Sequence, residues 1–151
     1  MRIILALSCL SLALLSSCAR KPLGESVKLS DIDPLAHATP VEIKEVSRSQ
    51  LKQAVELNAN NKPARLVQIF RSDVPASAAL PQYRLFDILP NSPYEVLGLH
   101  NADVLVAAND YIIYNPAGFH QYIKLIEKED RALIEIIRGG NPVKFEYHLV
   151  D

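Results

Sequence analysis

The chain has 151 residues, 16 of them basic and 17 acidic, and a formal net charge of −1. So even a balance gives no electrostatic case for binding nucleic acid. Its two cysteines, Cys9 and Cys18, are too few for a disulfide framework or a cysteine-based metal centre.

Met1-Arg2 is a short basic start, Ile3 to Leu15 is an almost unbroken apolar run, and Leu15-Ser16-Ser17-Cys18 follows. That is the layout of a secretory signal over residues 1–17, too short and too poorly flanked for a membrane-spanning helix. The small residues before the cysteine resemble the lipobox of bacterial lipoproteins. The resemblance implies that Cys18 is acylated and becomes the first mature residue, and that Cys9 is removed with the signal. Two or three acyl chains hold a protein firmly where one does so marginally. Ala19, rather than Asp, resembles lipoproteins sorted to the outer membrane, so the expected location is lipid-anchored on its periplasmic side.

Residues 18–41 are polar, are broken by Pro22, Gly24, Pro34 and Pro40, and show no period; they are expected to be a flexible tether. Residues 42–63 are assigned to a lead-in helix. Ser47-Arg48-Ser49-Gln50 matches a capping box, and Leu51, Ala54, Val55 and Leu57 fall on one face. Asn58 to Pro63 ends it. The domain proper is expected over 64–151. Ala64–Phe70 alternates as a strand, Ser72 to Gln82 reads as a loop, and Arg84–Leu89 is the next strand. Ser92-Pro93-Tyr94-Glu95 opens a short helix that stops at Gly98. Asn101-Ala102-Asp103 turns into a strand at Val104–Ala108, and Asn109-Asp110 turns into another at Tyr111–Tyr114. Asn115-Pro116 opens the longest helix, with Phe119, Tyr122, Ile123 and Ile126 as its apolar stripe. A hairpin closes the chain: Ala132–Arg138, a Gly139-Gly140-Asn141-Pro142 turn, then Val143–Val150.

This succession resembles bacterial PDZ domains, and more closely the PDZ domain of the type II secretion system C subunit. Four segments carry the likeness: V-S-R-S-Q-L-K-Q-A-V ahead of A-R-L-V-Q-I-F, then Y-R-L-F-D-I-L-P-N-S-P-Y-E-V-L-G-L, then N-A-D-V-L-V-A-A-N-D, then I-E-I-I-R-G-G-N-P-V-K-F-E-Y. Together they span roughly 42–151. The resemblance implies an α+β fold: one PDZ-like domain, a small, partly open antiparallel β-barrel or sandwich with two helices. Ala102 and Asp110 stand where that family usually has glycine. The family's usual transmembrane helix is replaced by the lipobox, and the interval from Cys18 to Val41 is too short for its homology-region domain.

No chemistry assembles from the sequence. His37, His100, His120 and His148 lack ligand spacing, Ser92 lacks a nucleophile-elbow context, and Gly139-Gly140 does not open a helix. Neither cofactor nor metal is expected, and the chain is read as no enzyme. PDZ domains take a peptide as an added strand beside a flanking helix. By resemblance, the strand edge would be Tyr83, Arg84, Leu85, Phe86, Asp87 and Ile88, and the helix would present Phe119, Tyr122, Ile123 and Ile126. Core packing is the favoured reading of Phe119 and Ile123, and for Tyr122 and Ile126 it stands level with a place lining the groove. The segment Pro81-Gln82-Tyr83-Arg84 lacks glycine, and Pro81 lacks an N–H, so capture of a C-terminal carboxylate is expected to be weak. The expectation is a non-catalytic lipoprotein that binds an envelope protein, a component or substrate of a type II-like secretion system. The alternatives are an adaptor for periplasmic proteolysis and a structural lipoprotein without ligand.

Overall fold

Period-two alternation builds one sheet here, and the turns between its strands set their order. The computed structural model describes residues 27–33, 38–70 and 80–151. The signal segment, Cys18, His37 and most of the expected loop Ser72–Gln82 lie outside the described residues. Among the described residues the strands are β1 (Val41–Ser47), β2 (Arg65–Ile69), β3 (Gln82–Phe86), β4 (Val104–Ala108), β5 (Tyr111–Ile112), β6 (Arg131–Arg138) and β7 (Asn141–Val150). The helices are α1 (Arg48–Leu57), α2 (Pro93–Val96) and α3 (Pro116–Leu125), and a 3-10 turn over Ile126–Lys128 prolongs α3. Strand order is β1-β7-β6-β4-β3-β2, with β5 paired to β4. The class is α+β, as the sequence implies. The sheet is open rather than closed into a barrel, and it is mixed, because β1 runs parallel to β7.

β1 is the first correction. Val41–Ser47 straddles the segment assigned to tether and lead-in helix, yet it is a seven-residue strand. Its alternation is hard to see in the sequence because Val41 and Ile43 lie on the exposed face and Val46 alone is buried. Ser47 ends it by capping α1, its Oγ accepting from Gln50 N at 3.4 Å. Leu51 and Ala54 of α1 are buried, whereas Leu57 points to solvent. Arg48 fastens α1 to the end of α3 and to the C-terminal strand. It donates to the carbonyls of Glu127 (2.7 Å) and Glu129 (3.0 Å) and pairs with Asp130 and Asp151. Those carbonyls close the end of α3, where a cation is favoured.

Part of the expected tether is also built in. Leu29–Asp31 forms one 3-10 turn against β5, with Lys28 bridging Tyr111. Leu29 buries itself with Ala107 and Ile112. Asn109 and Asp110 both have positive φ, as a two-residue hairpin turn demands. Each has a task that glycine could not do. Asn109 Oδ1 accepts from Leu133 N (2.8 Å), and the Asp110 carboxylate accepts from Ser30 N and Oγ (3.2 and 2.6 Å). The hydroxyl bond from Ser30 is the main reason the Asp110 carboxyl is held below its ordinary pKa.

The main core fills the inner face of the sheet, where Leu85, Leu105, Ile134, Ile136, Phe145 and Tyr147 meet Leu51, Tyr94, Leu97, Phe119 and Ile123. One ion pair with a buried carboxylate organises its edge. Asp103, 2 % exposed, takes both Nε and a terminal nitrogen of Arg138 (2.8 and 2.7 Å), and that nitrogen also reaches Gly98 O at 2.9 Å.

Ala102 sits at φ 74°, in the left-handed region. A Cβ there costs roughly 1–2 kcal/mol. Glycine would avoid that cost but add roughly 0.5–1 kcal/mol of chain entropy to the unfolded state. Ala102→Gly is therefore expected to stabilise the fold by about 0.5–1 kcal/mol in chemical denaturation; a loss of stability would refute this account of the turn.

Candidate functional site

A strand can accept a partner's backbone only if one of its sides is unpaired. β3 fails that test. It pairs with β2 along its whole length, from Arg65↔Phe86 to Ile69↔Gln82, and with β4 through Tyr83↔Leu105 and Arg84↔Val104. Leu85 spends both backbone groups on the β4 side, donating to Asp103 O (2.9 Å) and accepting from Ala102 N (2.8 Å). The expected groove edge, Tyr83, Arg84, Leu85, Phe86, Asp87 and Ile88, is thus an interior strand and its continuation. Tyr83 and Leu85 are buried, Phe86 and Ile88 are half-buried, and only Arg84 and Asp87 are exposed.

The free edge belongs to β2. Backbone groups alternate sides along a strand. Because Leu85 points to β4, Arg84 and Phe86 point to β2, and their partners Val67 and Arg65 point back. Leu66 and Gln68 then present their N–H and C=O outward. Among the described residues no strand lies beyond them. Val67 and Gln68 are exposed, and Phe70, just past the strand, is 83 % exposed. Arg65 holds Asp87 at 2.8 Å and lies over the Phe86 ring.

α3 stands on the same core as this edge. Asn115 caps it, accepting from Gly118 N at 2.6 Å, and Pro116 begins it. The Tyr83 hydroxyl donates to Tyr114 O at 2.7 Å and so ties the start of the helix to β3. Leu66 of β2 packs against the cluster containing Phe119 and Ile123. His120 bonds the Tyr94 hydroxyl through Nδ1, and the two rings meet edge-on at 5.7 Å. Burial pushes the His120 pKa down, and so do the charges of Lys124 and Lys62.

On the expected helix face the revision falls on Ile126 and Tyr122. Phe119, Ile123 and Ile126 are all core, Ile126 being fully buried. Tyr122 is half-buried and donates to Asn109 Oδ1 (2.9 Å) and Leu133 O (3.2 Å). It anchors α3 to the β4–β5 turn and to β6 instead of facing β2. Its burial raises the phenol's pKa.

The segment before β2, Asn58 to Ala64, contains no glycine. Pro63 has no N–H, and those of Asn58, Ala59 and Asn61 are already bonded to Ala54, Glu56 and Asn58 carbonyls. Carboxylate capture by a nest of free amides is therefore disfavoured at this edge as well. The remaining candidates for chemistry are dispersed: Ser92 is buried as the α2 cap, His148 bonds Glu146, and His100 is exposed. A cleft of about 330 Å³ opens between α1 and α2, lined by Gln50, Gln53, Leu57, Glu95 and Val96 among others and by no residue of β2.

One signal for the true edge is present in the sequence. Gln68 is a polar residue on the same face as Leu66, opposite Tyr83, and an amide there suits an outermost strand, where that face is still wet.

No family model and no curated protein matches the chain. It is similar to two solved structures of the PDZ domain of EpsC from Vibrio cholerae. The one spanning residues 219–305 is 20 % identical, covers 57 % of this chain and 93 % of that one, and has a TM-score of 0.35. The one spanning residues 204–305 is 18 % identical, covers 68 % and 90 %, and has a TM-score of 0.39. At those TM-scores neither carries residue positions over to this chain.

The alternation makes a sharp contrast in stability. Proline at Gln68, whose N–H faces outward, is expected to cost under about 1 kcal/mol. Proline at Val67 removes a ladder bond to β3 and is expected to cost about 3 kcal/mol. Equal losses in chemical denaturation would show that the edge has been assigned to the wrong residues.

Proposed function

We propose that this chain is a non-catalytic, PDZ-type binding protein that receives an extended segment of a partner on the free edge of β2, beside α3. The observation that carries the reading is the outward pair of backbone groups at Leu66 and Gln68, set on the same core as α3. Main-chain hydrogen bonds would supply affinity, and the side chains of Val67, Phe70 and the α3 flank would supply choice. The disfavoured carboxylate nest points to an internal segment rather than a chain terminus.

The partner is an envelope protein, a component or substrate of a type II-like secretion system. This part of the reading rests on the sequence resemblance to the secretion C subunit. The lipobox supports acylation at Cys18 and an anchor on the periplasmic side of the outer membrane. Palmitate labelling that persists in Cys18→Ser would remove the anchor from the reading.

Capture from envelope extract by the full-length chain tests the binding role. The expected result is a secretion-apparatus protein or substrate retained by the wild type and lost on Gln68→Pro. Retention by both would move the site away from β2. A periplasmic protease in its place would favour an adaptor for proteolysis.

A further inference from the structure

The sheet has a second terminal strand. β1 is seven residues long and pairs only with β7 among the described residues. Pro40 O accepts from Lys144 N at 3.0 Å, so even-numbered residues of this stretch face β7. The N–H and C=O of Val41, Ile43 and Glu45 therefore face outward, away from β7. Val41 is 51 % and Ile43 65 % exposed, both on the outer face of the sheet. A long, exposed and partly apolar edge of this kind is a template for another strand.

We propose that the strand it takes is β1 of a second copy, antiparallel and centred on Ile43. A two-fold axis perpendicular to the sheet pairs residues whose numbers are equally spaced about the centre. Centring on Ile43 sets Ile43 against its own counterpart. It places Glu42 opposite Lys44 twice, and it makes Val41 and Glu45 a hydrogen-bonding pair. Centring elsewhere within residues 41–45 works against itself. Centring on Glu42, Lys44 or Glu45 sets like charges directly opposite one another, which is unfavourable across strands. Centring on Val41 sets Glu42 against Pro40 and Ile43 against Thr39, so it runs off the start of the strand and brings no opposite charges together.

Glu42 is exposed, and Lys44 is half-buried with its ammonium 3.7 Å over the Phe145 ring. Both side chains lie on the inner face, where the partner's opposite charge arrives. The result is one continuous sheet through two domains, with the β2 edges left at its two outer ends. The pairing does not depend on what binds β2.

Sedimentation equilibrium of the full-length chain in density-matched detergent tests this. The expected result is a reversible dimer whose dissociation constant rises roughly tenfold or more in Glu42→Lys, where two Lys–Lys oppositions replace two ion pairs. The exchange Glu42→Lys with Lys44→Glu should bring it back to within about threefold of wild type by the same cross-strand rule. Monomer at every concentration, or a dimer indifferent to Glu42→Lys, would overturn the proposal.

Discussion

A single buried carboxylate decides how this chain turns. Asp103 accepts from both Nε and a terminal nitrogen of Arg138, and from the backbone of His100 at 2.8 Å, so its oxygens are satisfied although it is almost wholly out of water. Removing the guanidinium would leave an unpaired charge in the interior, which is far costlier than never having buried the pair. The pair joins the turn after α2 to the β6–β7 hairpin. Because Asp103 O and Ala102 N also take both backbone groups of Leu85, the same turn locks β3 against β4. An interior β3 leaves β2 outermost. The free β2 edge among the described residues thus goes with an ion pair on the opposite flank of β3.

The two ends of the sheet are dressed differently. β2 is short, and it sits on the same core as α3, with the charges of Lys62 and Lys124 both felt at His120. β1 is longer, carries Glu42, Lys44 and Glu45, and is followed at once by α1, which Arg48 clamps to the end of α3. One edge offers apolar side chains with backbone to spare, and the other offers a charge pattern complementary to itself. The stretch at 27–33, expected to be loose tether, lies along β5 and buries Leu29, so it occupies the third place where a strand could have been added.

Local chemistry makes most elements legible in the sequence. Ser47, Ser92 and Asn115 do cap their helices, Gly98 does take a left-handed φ, and Asn109-Asp110 does form the hairpin turn. What cannot be read locally is pairing. Whether Tyr83–Ile88 is an edge depends on β2 and β4, which flank it through contacts distant in sequence. β1 escapes notice because two of its three apolar residues, Val41 and Ile43, face solvent, the reverse of the pattern by which half-buried strands are recognised. Helical spacing alone does not divide Tyr122 and Ile126 from Phe119 and Ile123 correctly. The structure sorts them by partners: Ile126 is core, and the hydroxyl of Tyr122 is engaged by Asn109 and Leu133.

The central claim, an unpaired β2 edge that a partner's backbone fills, is tested most directly by amide hydrogen exchange on the full-length chain. The N–H groups of Leu66 and Gln68 should exchange freely in the unbound protein and become protected once a captured partner is added, while Val67, already bonded to β3, should change little. Protection of Leu66 and Gln68 before any partner is present, or no change on binding, would contradict it.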